Sequence, residues 1–217
     1  MSRLGFPRRG LYAITAGAGK DTRDLLDALG GALGGGARVV QYRDKSTDHV
    51  RRRHEARALL SLCHDHDVPL IVNDDVALAL EIGADGVHLG RDDGAIPAAR
   101  ERLGSDAIIG ASCYDRLELA CRAVDEGADY VAFGSFYPSP TKPEAVRAPL
   151  SLLGEARARL AVPIVCIGGI TPENGARLLA AGGDLLAVIH GIFGAEDPMA
   201  AARRYDTLFA HAEEVAQ

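Results

Sequence analysis

Eight short apolar runs recur along the chain, and a segment with a helical pattern follows each of them. The runs are continuously apolar rather than alternating, which is typical of strands in a parallel sheet that is covered on both faces. Eight strand–helix units within 217 residues favour a closed (β/α)8 barrel (TIM barrel) in the α/β class over an open sheet. The predicted strands are 11–15, 38–42, 69–72, 85–89, 107–110, 130–133, 163–167 and 185–189.

A weak internal repeat supports this count. A Gly-Ala-Asp or Gly-Gly-Asp sequence begins the segments 83–87, 127–131 and 182–186, and 34–39 is a looser copy. Each copy stands where a helical pattern ends and a strand begins, and glycine suits the left-handed position that closes a helix. The repeat therefore predicts the turns on the floor of the barrel, opposite the face that carries function.

No linker or low-complexity segment divides the chain, so we expect a single domain over residues 1–217. A hydrophobic fraction of 47% is sufficient for a core without disulfides or a structural metal. The four cysteines show no metal-binding spacing. Residues 1–9 are basic with no apolar stretch behind them, which predicts a loosely ordered N-terminal extension rather than a signal peptide.

The net charge of −6 argues against nucleic-acid binding, which normally needs a basic face. No apolar run approaches the roughly 18 residues of a membrane span. We therefore expect a cytoplasmic protein with no nucleic-acid or membrane partner. A homo-oligomer is compatible with the sequence, which does not decide the oligomeric state.

Polar side chains follow almost every predicted strand, and in a (β/α)8 barrel these positions form the functional face. Their convergence on one face predicts a binding site there. In strand order they are Gln41, Arg43, Asp44 and Lys45; Asn73, Asp74 and Asp75; Arg91, Asp92 and Asp93; Ser112; the loop 133–142; Gly168 and Gly169; and His190 with Gly191.

Arg43 and Lys45 stand two residues apart at a strand end, so both side chains can point the same way. Arginine grips phosphate oxygens with two N–H groups, and lysine adds a mobile charge. The alternative is a surface ion pair with Asp44.

Asp74 and Asp93 end neighbouring strands and could together hold a hard cation, with Asn73 adding an amide contact. Mg²⁺ typically takes one or two carboxylates together with phosphate oxygens of the substrate. The alternative is that Asp74 or Asp75 caps a helix.

The loop 133–142 is longer than most connections and is stiffened by proline, as binding loops often are. It carries hydroxyls and Lys142, which suit an anion, although an isolated loop lysine is usually solvated. Gly168 and Gly169 and the turn after strand 8 stand at the common phosphate site of these barrels.

Several other polar residues have a structural interpretation. Arg51, Arg52 and Arg53 are expected to form a solvated helix face. His88 is expected to be a hydrogen-bonded core histidine, whereas His190 alone among the histidines ends a strand on the functional face. Cys113 is expected to be a small buried hydrophobe, with a reactive thiol as the less favoured alternative.

The polar residues that follow the strands thus predict two anion sites. The sequence contains no Ser/His/Asp constellation, zinc spacing or dinucleotide fingerprint. Departure of a pyrophosphate, attacked by a second phosphorylated molecule, would use both sites.

The chain resembles the thiamine-phosphate synthase (thiamine-phosphate pyrophosphorylase) family from Gly10 to about Pro198. Short motifs carry the resemblance in order along nearly the whole chain. They are Val40-Gln-Tyr-Arg-Asp-Lys45, Val72-Asn-Asp-Asp75, the segment 83–90 with Asp93, Gly110-Ala-Ser112, the loop 133–142 and Ile167-Gly-Gly-Ile-Thr-Pro172.

The resemblance implies condensation of 4-amino-5-hydroxymethyl-2-methylpyrimidine pyrophosphate with 4-methyl-5-(2-phosphoethyl)thiazole, giving thiamine phosphate and pyrophosphate. It implies Mg²⁺-assisted departure of pyrophosphate, through a pyrimidine carbocation. The implied roles are pyrimidine pyrophosphate binding by Gln41, Arg43, Lys45, Asn73, Ser112 and Lys142, with Arg43, Ser112 and Lys142 catalytic; Mg²⁺ binding by Asp74 and Asp93; and thiazole phosphate binding by Ser139, Thr141, Gly169, Ile189 and His190.

Two positions depart from the family pattern. His190 stands where serine is usual, and Tyr42 replaces a common leucine. The alternatives on the same fold are a thiazole tautomerase, whose members carry histidine at the position of Ser135, and a non-catalytic phosphate-binding regulator, which would have lost the Mg²⁺ ligands.

Overall fold

The computed structural model describes residues 4–16, 21–91, 93–139 and 146–214, with side chains as far as residue 210. Eight parallel strands pair in sequence order, and β8 pairs with β1 to close the barrel. The predicted (β/α)8 barrel is therefore confirmed. The strands are β1 (Gly10–Ile14), β2 (Ala37–Tyr42), β3 (Leu70–Asn73), β4 (Gly86–Leu89), β5 (Ile108–Tyr114), β6 (Tyr130–Phe133), β7 (Ile164–Ile167) and β8 (Leu185–Val188).

Helices alternate with these strands, and the last strand is followed by two of them. None of the helices in the described part of the chain combines the length and the apolar character that crossing a bilayer requires. The helices are α1 (Thr22–Gly34), α2 (His49–His64), α3 (Val76–Ile82), α4 (Ile96–Leu103), α5 (Leu117–Asp125), α6 (Ser151–Arg159), α7 (Pro172–Ala180), α8 (His190–Phe193) and α9 (Pro198–Glu214).

The fifth strand differs from its prediction, because it continues four residues beyond Gly110 to Tyr114. The apolar run ends at Gly110, but the backbone goes on pairing with β6 through Ser112, with a register shift before Tyr114. Ser112 therefore lies within a strand rather than in the loop after it. A strand can continue through polar residues where its side chains line a cavity instead of a packed core.

The glycine–aspartate repeat forms the floor of the barrel, as predicted. In each of the three copies that contain aspartate, the carboxylate accepts a hydrogen bond from a backbone N–H near the start of the preceding strand. The bonds are Asp85 Oδ2 to Leu70 N (2.8 Å), Asp129 Oδ2 to Ile109 N (2.7 Å) and Asp184 Oδ2 to Ile164 N (2.7 Å).

Each floor aspartate also contacts a basic side chain from the helix that precedes that strand. His64 Nε2 lies 2.9 Å from Asp85, Arg100 Nη2 lies 2.7 Å from Asp129, and Arg157 Nη1 lies 2.7 Å from Asp184. The repeat is thus a structural unit of helix, strand and turn, and its carboxylate binds all three together.

The N-terminal segment closes the same floor. The Phe6 ring stacks on Tyr130, with centroids 4.0 Å apart, and the Leu4 N–H donates to Asp85 Oδ1 at 3.0 Å. This ordered packing differs from the loosely ordered extension expected for residues 1–9, of which 1–3 lie outside the described residues. The difference arises because Phe6 fills the open lower end of the barrel, a long-range contact that no local pattern reveals.

The core has two layers. One lies between the strands and the helices, and the other lies inside the barrel. The inner layer is topped by small residues on β6 and β8, so space remains at the carboxyl ends of the strands. Its buried members are Tyr12, Ile14, Val39, Ile71, Ile108, Tyr130, Ala132, Val165, Leu185 and Ala187.

The three adjacent arginines of α2 are not a solvated face. Arg51 contacts Asp44 at 2.7 Å and Glu55 at 2.8 Å, and only Arg53 makes an ion pair that is largely exposed. Arg52 contacts Asp75 at 2.9 Å. The expectation was wrong because Asp44 and Asp75, which follow β2 and β3, bind Arg51 and Arg52, and α2 itself carries the buried Glu55.

We expect Asp184→Ala to lower the free energy of unfolding by about 1–3 kcal/mol, because it leaves the Ile164 N–H without its acceptor and removes the carboxylate partner of Arg157. Asp27→Ala, at an exposed position of α1, is the matched control and should change stability by less than about 0.5 kcal/mol. Urea unfolding measures both. Equal effects would show that the floor carboxylate adds nothing specific.

Candidate active site

A cavity of about 420 Å³ opens at the carboxyl ends of the strands. This volume suits a small organic molecule. Its lower wall is apolar, with Ile14, Ala132 and Val165 from the inner layer, and polar groups stand above that wall. The predicted site residues that line it are Gln41, Arg43, Asn73, Ser112, Ser139 and Ile189.

A second, more open cavity of about 520 Å³ lies beside the first, and Asn73 lines both. The second cavity brings together Lys45, Asp74 and Asp93, as the sequence predicted for the cationic site. A cavity with an apolar lower wall and a more charged cavity therefore meet at one amide side chain.

Thr15 positions the backbone of Arg43. Its hydroxyl accepts from the Arg43 N–H at 2.8 Å, and the Thr15 N–H donates to the Gln41 carbonyl at 2.9 Å. Asp44 is buried and turned away, where the Ser46 N–H and Arg51 bind its two oxygens at 2.7 Å. Burial disfavours the Asp44 carboxylate, but these hydrogen bonds outweigh it and hold its pKa below the usual value. The alternative of an ion pair between Asp44 and Arg43 or Lys45 is therefore wrong.

Asp74 and Asp75 divide the two roles that the sequence left open. Asp75 caps α3, because its Oδ1 accepts from the Leu78 N–H at 2.9 Å. Asp74 adopts a left-handed backbone conformation, with φ of 63°, which is uncommon for a residue other than glycine. Its carboxylate contacts Lys45 Nζ at 3.4 Å. Asp74 is therefore directed into the second cavity instead of into the helix.

The carboxyls of Asp74 and Asp93 are close enough to influence each other. Burial, followed by a hydrogen bond and charge repulsion from Asp93, raises the pKa of Asp74, although Lys45 opposes the shift. Asp93 is held in place by the Gly90 N–H, which donates to its Oδ2 at 2.8 Å. Within the described ranges no three His, Cys, Asp or Glu side chains cluster as metal ligands.

The loop after β6 is bonded onto the loop after β7. The Phe136 N–H donates to the Ile167 carbonyl at 3.2 Å, and the Tyr137 N–H donates to the Gly168 carbonyl at 3.0 Å. Gly169 has φ of 61°, and a Cβ there would lie 2.2 Å from the Pro138 carbonyl oxygen. The glycine pair is therefore required by the close approach of the two loops, in addition to any phosphate contact.

The predicted thiazole phosphate residues are placed less uniformly. Ser139 and Ile189 line the first cavity, whereas Gly169 and His190 line neither cavity, although Gly168 does. The exposed His190 begins α8, and its ring lies over Gly194. Thr141 and Lys142 lie outside the described residues.

His88 is the hydrogen-bonded core histidine that the sequence predicted. Its Nδ1 lies 2.9 Å from Tyr130 Oη and its Nε2 lies 2.8 Å from Ser112 Oγ. Burial lowers its pKa to about 4, partly offset by Asp93, so the ring is neutral at pH 7. His88 nevertheless also lines the first cavity, which the sequence interpretation missed.

Cys113 is a buried residue with no accessible thiol, because only 1% of its surface is exposed. Burial raises the pKa of this thiol to about 12. The interpretation as a small buried hydrophobe is therefore confirmed, and the reactive alternative is wrong.

Tyr12, Ile14 and Tyr114 also line the cavity, and sequence reasoning did not assign them to the site. Continuously apolar strands give no alternation from which to separate inward-facing from outward-facing side chains. Gly110 was one usable signal, because a glycine inside a predicted strand indicates that another group approaches its backbone closely. In the structure that group is the Tyr130 ring, since a Cβ on Gly110 would lie 2.0 Å from Tyr130 Cζ.

The fold and the site define a (β/α)8-barrel enzyme with a polar, partly basic site for small molecules at the carboxyl ends of its strands. The profile of the thiamine monophosphate synthase family matches residues 11–192. The chain belongs to this family.

Similar proteins agree with that assignment. The chain is 54% identical to a thiamine-phosphate synthase of Thioalkalivibrio sulfidiphilus, over 96% of this chain and 99% of that protein. It is 58% identical to a thiamine-phosphate synthase of Chromobacterium violaceum, over 89% and 93%. A thiamine phosphate pyrophosphorylase structure from Pyrococcus furiosus superposes with a TM-score of 0.83 at 34% identity, covering 97% of this chain and 98% of that one.

We expect His88 to make the protein less stable as the pH falls. The folded state keeps the ring neutral down to about pH 4, whereas the unfolded chain takes up the proton near pH 6.5. Between these values the unfolded state binds more protons, so stability rises with pH. The single site should cost about 2 kcal/mol between pH 7 and pH 5.

Urea unfolding at both pH values measures this loss. His88→Gln should remove it, whereas the exposed His54→Gln variant should keep it. An unchanged pH dependence in His88→Gln would contradict a neutral buried imidazole.

Proposed function

We propose that this protein condenses 4-amino-5-hydroxymethyl-2-methylpyrimidine pyrophosphate with 4-methyl-5-(2-phosphoethyl)thiazole, giving thiamine phosphate and pyrophosphate. The observation that carries the proposal is the pair of adjoining cavities that share Asn73. An apolar cavity with a few polar groups suits a small aromatic ring, and the charged cavity beside it suits the ring's pyrophosphate.

The pyrophosphate would lie among Arg43, Lys45 and Asn73. Arg43 lines the first cavity and Lys45 the second, so their cations would hold the anion at the boundary of the two. Since Asp44 is already bound by Arg51 and Ser46, it does not compete for Arg43. Lys142, which lies outside the described residues, would add a further cation from the loop after β6.

Asp74 and Asp93 would hold Mg²⁺ through their carboxylates. Two carboxylates beside a site for phosphate oxygens match the donor set that Mg²⁺ usually takes in proteins. The raised pKa of Asp74 beside Asp93 supports this fit, because two carboxylates in contact are most stable with a cation between them. When bound, Mg²⁺ would neutralise charge on the departing pyrophosphate.

The thiazole phosphate would lie on the opposite side of the first cavity, near the loops after β6, β7 and β8. Ser139 and Ile189 line that side. Thr141, the Gly169 backbone and the His190 backbone would complete the phosphate contacts. Because the His190 ring is exposed, the backbone N–H of His190 would be the contacting group. A contact made by the backbone would tolerate histidine in place of serine.

The residues would act by positioning and by charge stabilisation. The bond between the pyrimidine methylene carbon and the pyrophosphate oxygen breaks, and the electron pair leaves with pyrophosphate. The thiazole nitrogen then donates its lone pair to the resulting carbocation and forms the new C–N bond. Arg43 and Lys45 would stabilise the leaving anion, and Ser112 would hold the ring. No step needs a strong base.

The site does not favour the alternatives. Ser135 Oγ donates to the Tyr137 carbonyl at 2.9 Å, so this position stabilises the loop and offers no imidazole for proton transfer in a tautomerase. The carboxylates that a regulator would lack are both directed into the second cavity. We place the reaction in the cytoplasm, with small phosphorylated molecules as partners.

Purified protein mixed with both substrates and Mg²⁺ should release equal amounts of thiamine phosphate and pyrophosphate. Chromatography of the thiamine phosphate, coupled to a pyrophosphate assay, measures both products. Omission of either substrate is the control. Absence of thiamine phosphate from the complete mixture would overturn the proposed function.

Asp93→Asn should raise the Mg²⁺ concentration that gives half-maximal activity by roughly tenfold or more, because the amide removes a charge while keeping the shape. Asp65→Asn, at an exposed position after α2, is the matched control and should leave that concentration unchanged. An unaltered Mg²⁺ dependence in Asp93→Asn would exclude Asp93 as a ligand.

A further inference from the structure

A continuous chain of hydrogen bonds crosses the interior of the barrel and joins two of the pyrimidine-binding residues. Gln41 Nε2 donates to Tyr12 Oη at 2.9 Å, and Tyr12 Oη lies 2.8 Å from Tyr130 Oη. Tyr130 Oη lies 2.9 Å from His88 Nδ1, and His88 Nε2 lies 2.8 Å from Ser112 Oγ. Five side chains from five strands are therefore linked end to end.

The hydrogen-bond chain that starts from the Gln41 amide nitrogen has one direction in which each hydroxyl and the imidazole both accept one bond and donate one. An amide nitrogen can only donate, and a neutral imidazole carries a single N–H. In that direction the Gln41 amide donates to Tyr12, the Tyr12 hydroxyl donates to Tyr130, and the Tyr130 hydroxyl donates to His88 Nδ1. His88 Nε2–H then donates to Ser112 Oγ. Bonds arranged in this way polarise one another.

The two ends of the chain consequently offer opposite groups to the cavity. One N–H of the Gln41 amide is used within the hydrogen-bond chain, whereas the side-chain carbonyl oxygen takes no part in it and can accept from a ligand. The Ser112 oxygen accepts within the chain, so its proton is left to donate. Both residues line the first cavity.

We propose that Tyr12, Tyr130 and His88 are positioning residues that select a 4-aminopyrimidine over a 4-oxopyrimidine, through the polarity they impose on Gln41 and Ser112. An aminopyrimidine has an N–H donor on its exocyclic group and acceptors on its ring nitrogens. The oxo analogue has an acceptor at the exocyclic position and an N–H on the adjacent ring nitrogen. The fixed acceptor and donor match the first pattern and oppose the second.

Packing holds the two tyrosines at the centre of the hydrogen-bond chain in place. Tyr12 and Tyr130 are 1% and 0% exposed. Phe6 stacks on the Tyr130 ring from the floor, and the missing Cβ of Gly110 leaves room for it. Phenylalanine would fill the same space without the cost of burying a hydroxyl. The buried hydroxyls therefore point to a role beyond filling the barrel.

This inference rests on the proposed function, and the test separates the two. Calorimetric titration in the presence of Mg²⁺ would give the affinities for 4-amino-5-hydroxymethyl-2-methylpyrimidine pyrophosphate and for its 4-oxo analogue. The native protein should bind the amino compound much more tightly. Tyr130→Phe should reduce the ratio of the two affinities at least tenfold. The substitution removes the donor to His88 Nδ1, so the imidazole is free to adopt the tautomer that carries its proton on Nδ1.

Tyr12→Phe is a second variant, which breaks the chain at its other end and should lower the same ratio by freeing the Gln41 amide. Tyr205→Phe is the matched control. The Tyr205 hydroxyl is equally buried, but it lies in the outer layer and donates to the Ile170 carbonyl at 3.1 Å. Its removal can reduce stability but should leave the ratio unchanged.

The outcomes are distinct. A native protein that forms no thiamine phosphate from the amino substrate would overturn the proposed function. A native protein that does form it, with the affinity ratio within twofold in both Tyr130→Phe and Tyr12→Phe, would overturn only this inference and leave the chain a structural network. Tighter binding of the oxo compound by the native protein would also overturn the inference, since it would show the reverse polarity.

Discussion

Filling the barrel interior is the constraint on which the rest of the structure depends. A closed eight-stranded barrel is just wide enough for side chains to pack across it, and here the rings of Tyr12, Tyr130 and Phe6 occupy its lower half. Small side chains at Ala132 and Ala187 leave the upper half open as the cavity. The same aromatic layer thus stabilises the barrel and sets the depth of the site.

Charged groups have different roles at the two ends of the barrel. On the floor, each repeated aspartate accepts from a strand N–H and contacts a basic side chain. The charge of each carboxylate therefore has its partners inside the fold. At the upper end, the partners of Asp74 among the described residues are Asp93 and the exposed cation of Lys45. We propose that carboxylates that the fold leaves incompletely neutralised bind the substrate's cation, which would separate the functional end from the structural one.

Much of this arrangement was predictable from local patterns. The strand count and the floor repeat follow from apolar runs and glycine turns, and the site residues follow from their places after strands. Predictions that depended on partners far away in the chain were less successful. Arg52 was expected to be solvated although it contacts Asp75, 23 residues away, and Phe6 was expected to be loosely ordered although its ring stacks on Tyr130.

The sequence by itself determined the eight strand–helix units, the floor turns and the family, because each depends on residues that are neighbours along the chain. Only the tertiary structure decided which polar atoms meet. Tyr12 and Tyr130 are 118 residues apart, and Leu4 and Asp85 are 81 apart. Closure of the barrel brings such residues within hydrogen-bonding distance, and no periodicity encodes that contact.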